Sequence, residues 1–278
     1  MKSIKVLLFI GSLFLLGNAT GQEKFLMEYK YVKGKTYNYK EEVKFESVQE
    51  VNGQEMKAKG STNSLMKMIV EEVSEKGDII FNNSLGDLRI TTKMMTMDTT
   101  IVMKDLLDKN IKTTITKTGK MIDQKIPDTV KEGENFMDRG NSLLTVYKEF
   151  VVFPGHALKF GDTWKDERTD TTRGTQMVTK TDLVYTLTGI EEKNGHSCIK
   201  TSFTGKTEIS GKMTQMGMEF FIEGSGETRG TMWFDKETCI IVAKESTSDQ
   251  DMTMALTGQM QMTIPITSTT NSTFTLLE

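Results

Sequence analysis

Histidine and cysteine are nearly missing from this chain: its 278 residues include two of each, with three prolines and two tryptophans. His156 follows Pro154-Gly155, and His196 adjoins Asn194-Gly195. A hydrolytic triad needs a base held against a nucleophile and oriented by a third group. Ser197 is beside His196, but neighbours along a strand point to opposite faces. Two histidines without closely spaced cysteine or carboxylate partners do not make a zinc site. Glu41/Glu42, Glu71/Glu72 and Glu191/Glu192 are adjacent residues at turns mixed with lysine. Glycoside hydrolysis requires two carboxyls set across a cleft. The chain is therefore expected to be non-catalytic and to use no cofactor.

Long apolar runs are also lacking, except at the start. Lys2 and Lys5 precede an apolar stretch from Val6 to Leu16, and Ala19 and Gly21 suit cleavage before Gln22. This pattern predicts a signal peptide over 1–21, hence export to the periplasm, envelope or exterior. No later segment is long and apolar enough to cross a bilayer as a helix. Of 35 basic and 38 acidic side chains, the leader removes two lysines and no acid, leaving 33 and 38, a net charge of −5. The two signs are interspersed, so nucleic acid is not an expected partner. A membrane barrel fits poorly as well. The chain ends at Glu278, has only six Tyr and two Trp for girdles, and carries Lys and Glu along most strands.

What is present reads as β. Threonine is abundant, and short alternating runs are separated by glycine-centred turns. Asn52-Gly53 and Asn194-Gly195 are strong hairpin signals, with further turns at Gly77 and Gly119. The expected fold is all-β: long antiparallel strands in a curved sheet or half-barrel, like the lipoprotein carriers. "IPDTVKEGENFMDRGNSLLTVYKEF" breaks the pattern and predicts one or two short helices over about 129–150, available as a cover for the sheet. "VMKDLLDK" at 102–109 offers one further helical turn. Gly34-Lys35-Thr36-Tyr37 resembles Gly161-Asp162-Thr163-Trp164, and "VEEVSEKGDIIFNNS" resembles "LTGIEEKNGHSCIKTSF". These echoes suggest two related halves. The expected organisation is a signal peptide (1–21), an N-terminal β half (22–127), a helical insertion (128–150) and a C-terminal β half (151–278).

"GSGETRG" (224–230) superficially looks like a phosphate loop, yet "TMWFD" after it is a strand, not the helix that a dinucleotide site opens. A tight turn or bulge that requires small residues is the better reading. Cys198 and Cys239 leave two alternatives. A disulfide would close a loop of about 40 residues and stabilise by roughly 4 kcal/mol; two free buried thiols is the other.

Methionine is the surplus, with 20 residues including Met1. In "MTMALTGQMQMTIPI" (252–266) the even positions are apolar apart from Gly258, and the odd ones are mostly polar. As one strand it would reach about 45–50 Å, bent at Gly258 and ended near Pro265. Met216, Met218, Phe220 and Ile222 share a face in the same way. Candidate ligand-lining residues are therefore Met216, Met218, Phe220, Ile222, Met252, Met254, Leu256, Met260, Met262 and Ile264. Methionine adapts to irregular apolar surfaces, which suits a lipid-like ligand on a concave face. A closed core in a structural or interaction module is the main alternative. A soft-metal Cu(I) site is a third, disfavoured because the methionines share faces with Leu, Ile and Phe rather than with histidine.

In its second half the chain runs "FPGHALKFGDTWKDE", "VYTLTGIEEKNGHSCIKTSF" and "GSGETRGTMWFDKETCIIVAKES". This order resembles a family of uncharacterised bacterial exported proteins and lipoproteins, domain of unknown function 6263, over roughly 25–278 and most clearly over 150–250. The resemblance implies an exported β protein with no assigned reaction. The chain departs from the family by lacking the lipid-attachment cysteine, and by placing Cys239 after "FDKET", where a turn-forming glycine is more usual.

Overall fold

The computed structural model describes residues 23–94, 97–102, 104, 107, 109–127, 150–171, 176–215, 218–256 and 261–277. These form twelve strands: β1 (Thr36–Val51), β2 (Gln54–Val73), β3 (Ile79–Met94), β4 (Met97–Val102), β5 (Ile111–Ile115), β6 (Met121–Lys125), β7 (Thr163–Thr171), β8 (Val178–Lys193), β9 (His196–Gln215), β10 (Met218–Asp235), β11 (Ile241–Leu256) and β12 (Met262–Leu277). All join one open, curved sheet in the order β6-β5-β3-β2-β1-β12-β11-β10-β9-β8-β7, with β4 pairing β3 off this path. Every ladder is antiparallel. No α-helix occurs among the described residues. The expected helical insertion (residues 128–149) and the signal peptide lie outside them. At 102–109 the Leu107 N–H donates to the Lys104 carbonyl at 3.2 Å.

The two expected Asn-Gly turns form as two-residue loops. Asn52 and Gly53 have φ of 53° and 76°, and Asn194 and Gly195 have 51° and 79°. Positive φ at both central residues matches the right-handed twist of the flanking strands, and Asn and Gly tolerate it. The two turns pin long hairpins, pairing Val51 with Gln54 and Lys193 with His196.

The sequence echoes correspond to repeated backbone corners. Gly34 donates to the Val70 carbonyl at 2.8 Å, and Val70 N–H donates to Lys35 O at 3.0 Å. Gly161 donates to the Leu187 carbonyl at 2.8 Å, and Leu187 N–H donates to Asp162 O at 3.0 Å. Both glycines have positive φ, 81° and 90°. Just past each anchor the strand bulges, at Glu71 after Val70 and at Thr188 after Leu187. The halves are not separate lobes. The C-terminal strand β12 lies between β1 and β11 and makes them one sheet.

One face of the sheet, the inner face, carries the main core. Tyr37 and Tyr39 of β1, Met66, Met68 and Val70 of β2, Trp164 of β7, Tyr185 of β8, Phe203 of β9, and Met232 and Phe234 of β10 belong to it. Two extended segments cover this core, where a helix was expected. Along the first, Phe25, Met27, Tyr29 and Tyr31 are buried at every second residue. The second contributes Phe150, Val151, Phe153 and Leu158. Tyr29 clamps them together: its hydroxyl accepts from the Val151 N–H at 3.0 Å and donates to the Val151 carbonyl at 3.3 Å. Tyr29 N–H donates to Lys117 O at 2.8 Å and Lys30 N–H to Thr238 O at 2.9 Å, so the first segment ties a turn of each half.

Cys198 and Cys239 are both free and buried, so the bridge weighed above is not formed. Cys239 lies in the main core, whereas Cys198 packs with Trp233, Val242 and Ala243 in a separate small cluster. Alternation along β9 puts Cys198 on the opposite face from the core residue Ile199. Cys239 has φ +55°, the left-handed region that glycine adopts without a Cβ penalty.

Two predictions follow from the buried groups. Burial, with Asp235 and Glu192 nearby, pushes the Cys198 thiol up to about 11, and burial raises Cys239 too. Near pH 8, a thiol reagent should label neither cysteine in folded protein and both after unfolding; a disulfide would give no label in either state. Burial also raises Tyr29, Tyr31 and Tyr39 above the ordinary tyrosine range. A raised folded pKa favours the unfolded chain once that chain can ionise. Stability should therefore be flat below about pH 10 and fall above it, with a limiting slope of about 1.4 kcal/mol per pH unit for each tyrosine. Denaturant titrations across pH 8–12 should show this fall, and Tyr31→Phe should reduce the slope.

Candidate functional site

The stretch 252–266 is not one long strand. It makes two strands, β11 and β12, which pair antiparallel with Met252 opposite Ile266, Met254 opposite Ile264 and Leu256 opposite Met262. On the other side of β11, β10 places Phe220 opposite Leu256, Ile222 opposite Met254 and Gly224 opposite Met252. Residues directly opposite in an antiparallel pair share a face. The three rows Phe220–Leu256–Met262, Ile222–Met254–Ile264 and Gly224–Met252–Ile266 therefore form one apolar patch. The register brings together every described candidate: Met218, Phe220, Ile222, Met252, Met254, Leu256, Met262 and Ile264. Met216 and Met260 lie outside the described residues.

Phe220, Ile222 and Leu256 are buried at 7%, 4% and 6% exposure. Met177, Ile209, Met218, Met254 and Met262 pack against them half-buried. Met177 and Ile209 escaped sequence analysis because a single apolar residue in a Thr/Lys-rich stretch gives no periodic signal; only the β9–β10 register, Ile209 opposite Gly224, reveals it. Ile266 had the parity signal and joins the patch at 7% exposure.

The patch lies on the inner face, but it does not run continuously into the core. Three polar rows intervene: Gly226–Gln250–Ser268, Thr228–Ser248–Thr270 and Gly230–Ser246–Ser272. Ser248 Oγ donates to Thr228 Oγ1 at 2.9 Å across this belt. The glycines of "GSGETRG" form neither a turn nor a bulge; all three sit mid-strand in β10. Their steric requirement is real. A Cβ would lie 2.6 Å from the Met252 side chain at Gly224, 2.7 Å from Gln250 at Gly226, and 2.3 Å from the Glu245 carbonyl at Gly230.

One concavity lies on this face and another behind it. An open groove of about 680 Å³ follows the row Ile209–Gly224–Met252–Ile266 on the opposite face, between the side chains of Glu208, Ser225 and Asp251 and those of Glu223, Thr253 and Pro265. A smaller cavity of about 210 Å³ lies on the core side of the belt, lined by residues that include Arg168, Phe203, Lys244, Ser246 and Ser248.

The polar residues weighed for chemistry are placed differently. His156 is exposed. His196 Nδ1 lies 3.1 Å from Asp235 Oδ2. Asp235 also accepts from the Thr238 N–H at 2.9 Å, the Thr238 hydroxyl at 2.7 Å and the Glu237 N–H at 3.1 Å, which makes it the organiser of the 235–239 turn. Despite desolvation, these donors hold its carboxyl below the ordinary range. Cys198 stands two residues from His196, but its raised pKa keeps it protonated at neutral pH. Among the described residues no three His, Cys, Asp or Glu side chains gather as a metal-holding group. No described helix is long and apolar enough to cross a membrane.

A structure of lipovitellin that describes lipid–protein interactions aligns with a TM-score of 0.52 and 11% identity, covering 90% of this chain and 26% of that one. The chain thus spans about a quarter of that neighbour's length, and the likeness is one of fold. An outer membrane channel from Pseudomonas putida F1 aligns with a TM-score of 0.22 and 6% identity over 90% of this chain and 98% of that one. Pseudomonas aeruginosa OpdQ gives 0.24 and 9% over 87% and 99%. Likeness that loose carries no argument. No curated relative matches the sequence. Over residues 144–241, which hold the Gly161 corner, the Asn194-Gly195 hairpin and the Trp233-Phe234-Asp235 strand end, the chain matches a family of unknown function, DUF6263, the family its turn motifs resemble.

Proposed function

We propose that this is an exported, non-catalytic envelope protein that holds an apolar or lipid-like ligand on the methionine-rich end of its inner sheet face. One observation carries the reading. The register of β10, β11 and β12 gathers eight apolar side chains into adjacent rows, and a polar belt sets them apart from the core. A core extending through the sheet would have no reason for such a belt. Four of the eight, Met252, Met254, Met262 and Ile264, are half-buried, as is Met218 beside them, so they present area that a ligand can remove from water. At about 25 cal/mol per Å², covering a few hundred Å² is a driving force of several kcal/mol before association costs. The lipovitellin-like fold is compatible with this reading. The leader sequence and the absence of a catalytic constellation in the sequence support export and binding without chemistry.

The alternative of a closed structural module rests on Phe220, Ile222 and Leu256, which are already buried without a ligand. The two readings differ in an accessible experiment. Protein purified from its own envelope fraction should carry acyl lipid, detected by native mass spectrometry and lipid extraction. Met254→Lys puts a charge on the patch and should abolish the co-purification. Thr253→Lys puts the same charge on the opposite face and should leave it intact. Lipid-free wild-type protein, or equal lipid in both variants, would favour the closed module.

A further inference from the structure

The first cover segment has an outward side that the core does not use. From Glu23 to Lys35 the sequence is "EKFLMEYKYVKGK". Phe25, Met27, Tyr29 and Tyr31 belong to the core, so the intervening Lys24, Leu26, Glu28, Lys30 and Val32 point away from it. Leu26 is 52% exposed and Val32 58%. They are six residues apart, about 20 Å at strand rise. Lys33 and Lys35 carry the exposed strip on around the Gly34 corner. The backbone beneath it is fixed by the bonds of Tyr29 to Lys117 and of Lys30 to Thr238, so these side chains are presented without the cost of ordering a loop.

Apolar side chains exposed singly are ordinary; the charge around these two is not. The segment holds four lysines, Lys24, Lys30, Lys33 and Lys35, against two acids, Glu23 and Glu28. It is therefore +2, while the mature chain totals −5, so the remainder carries −7. Both acids are already taken by lysines of the sheet turns: Lys236 Nζ lies 3.2 Å from Glu23 and Lys117 Nζ 2.8 Å from Glu28. The four lysines of the segment form no ion pair among the described residues. A fifth joins them. Phe25 and Leu158 exchange backbone hydrogen bonds of 2.7 and 2.9 Å, and this bridge sets the exposed Lys24 beside the exposed Lys159. Like charges directly opposite each other cost stability, and an anion beside them offsets that cost.

We propose that this strip docks the protein on the surface of an anionic phospholipid bilayer. The lysine ammonium groups meet lipid phosphates, while Leu26 and Val32 enter the boundary between head groups and acyl chains. A polyanion such as nucleic acid would satisfy the lysines and leave the two apolar side chains in water. The negative remainder of the chain is repelled by the same surface, which turns the strip toward it. The strip is bound to the Thr238 turn, beyond the Asp235 end of β10, whereas Phe220 and Ile222 sit at the Met218 end. Docking and ligand holding thus use opposite ends of the sheet, and the one does not require the other.

The test is co-sedimentation of the mature protein with vesicles of phosphatidylcholine alone, and with vesicles of equal parts phosphatidylcholine and phosphatidylglycerol. The protein should sediment with the second and stay in solution with the first. Lys30→Gln and Lys33→Gln should each weaken binding by about fivefold, and added salt should weaken it further. Leu26→Ser combined with Val32→Ser should also weaken it and leave the melting temperature in place, since both side chains are already exposed. Lys57→Gln removes an equal charge near the start of β2, from a side chain that is 69% exposed, and should bind like wild type. No sedimentation with the phosphatidylglycerol vesicles would overturn the proposal. So would equal sedimentation with both vesicle types, strip variants that bind like wild type, or a loss in Lys57→Gln as large as in Lys30→Gln.

Discussion

The ladder between the first long strand and the last, from Asn38 opposite Leu277 to Gln49 opposite Ile266, is the constraint on which the rest of the molecule depends. Each half repeats a corner, a bulge and a hairpin, and either half alone would expose an unpaired edge strand. Inserting β12 between β1 and β11 satisfies both edges and makes one continuous inner face from β6 to β7. A sheet this wide cannot be covered by its own side chains alone. The extended segments around Tyr29 and Val151 therefore lie on it, and the hydroxyl of Tyr29 satisfies both polar groups of Val151, which would otherwise be buried unpaired.

The covered part and the methionine patch use the same face in different ways. Aromatic rings fill the core: Tyr39 stacks on Phe274 with centroids 4.5 Å apart, and Trp164 on Tyr185 at 5.1 Å. Such rings lose little side-chain entropy when ordered and specify one arrangement. The patch uses methionine, whose flexible thioether adapts to more than one neighbour. Between them, the β10 glycines let Met252 and Gln250 lie close over the backbone, which keeps the face low. Rigid packing and adaptable packing are thus separated by a belt that neither could cross without burying hydroxyls.

Much of this was legible in the sequence, for identifiable reasons. Asn52-Gly53 and Asn194-Gly195 could be read as hairpins because few residue pairs adopt two consecutive positive φ values. The even-numbered residues of 252–266 could be assigned to one face because the strand period is two. The division into two strands could not be read. Position 252 pairs with 266 and 254 with 264, so antiparallel pairing keeps the even residues together, and one bent strand and two paired strands carry the same pattern. At Gly224, Gly226 and Gly230 the requirement for small residues was legible but its setting was not: a turn or bulge was expected, and close approach of a cross-strand side chain leaves the same composition as a chain reversal. The polar belt was invisible because serine and threonine occur on both faces, and only register lines Thr228, Ser248 and Thr270 into a row. The free thiols were also undetermined, since strand phase alone decides that Cys198 faces away from the core that holds Cys239.

The central claim is that one face holds a closed aromatic core and a separate apolar surface open to an acyl chain. Methionine methyl resonances report on both at once. With ¹³C-methyl-labelled protein titrated with a short-chain phospholipid, the signals of Met218, Met252, Met254 and Met262 should shift, while those of the core residues Met27, Met66, Met68 and Met232 stay in place. Unmoved patch signals, or equal movement of both sets, would contradict the account.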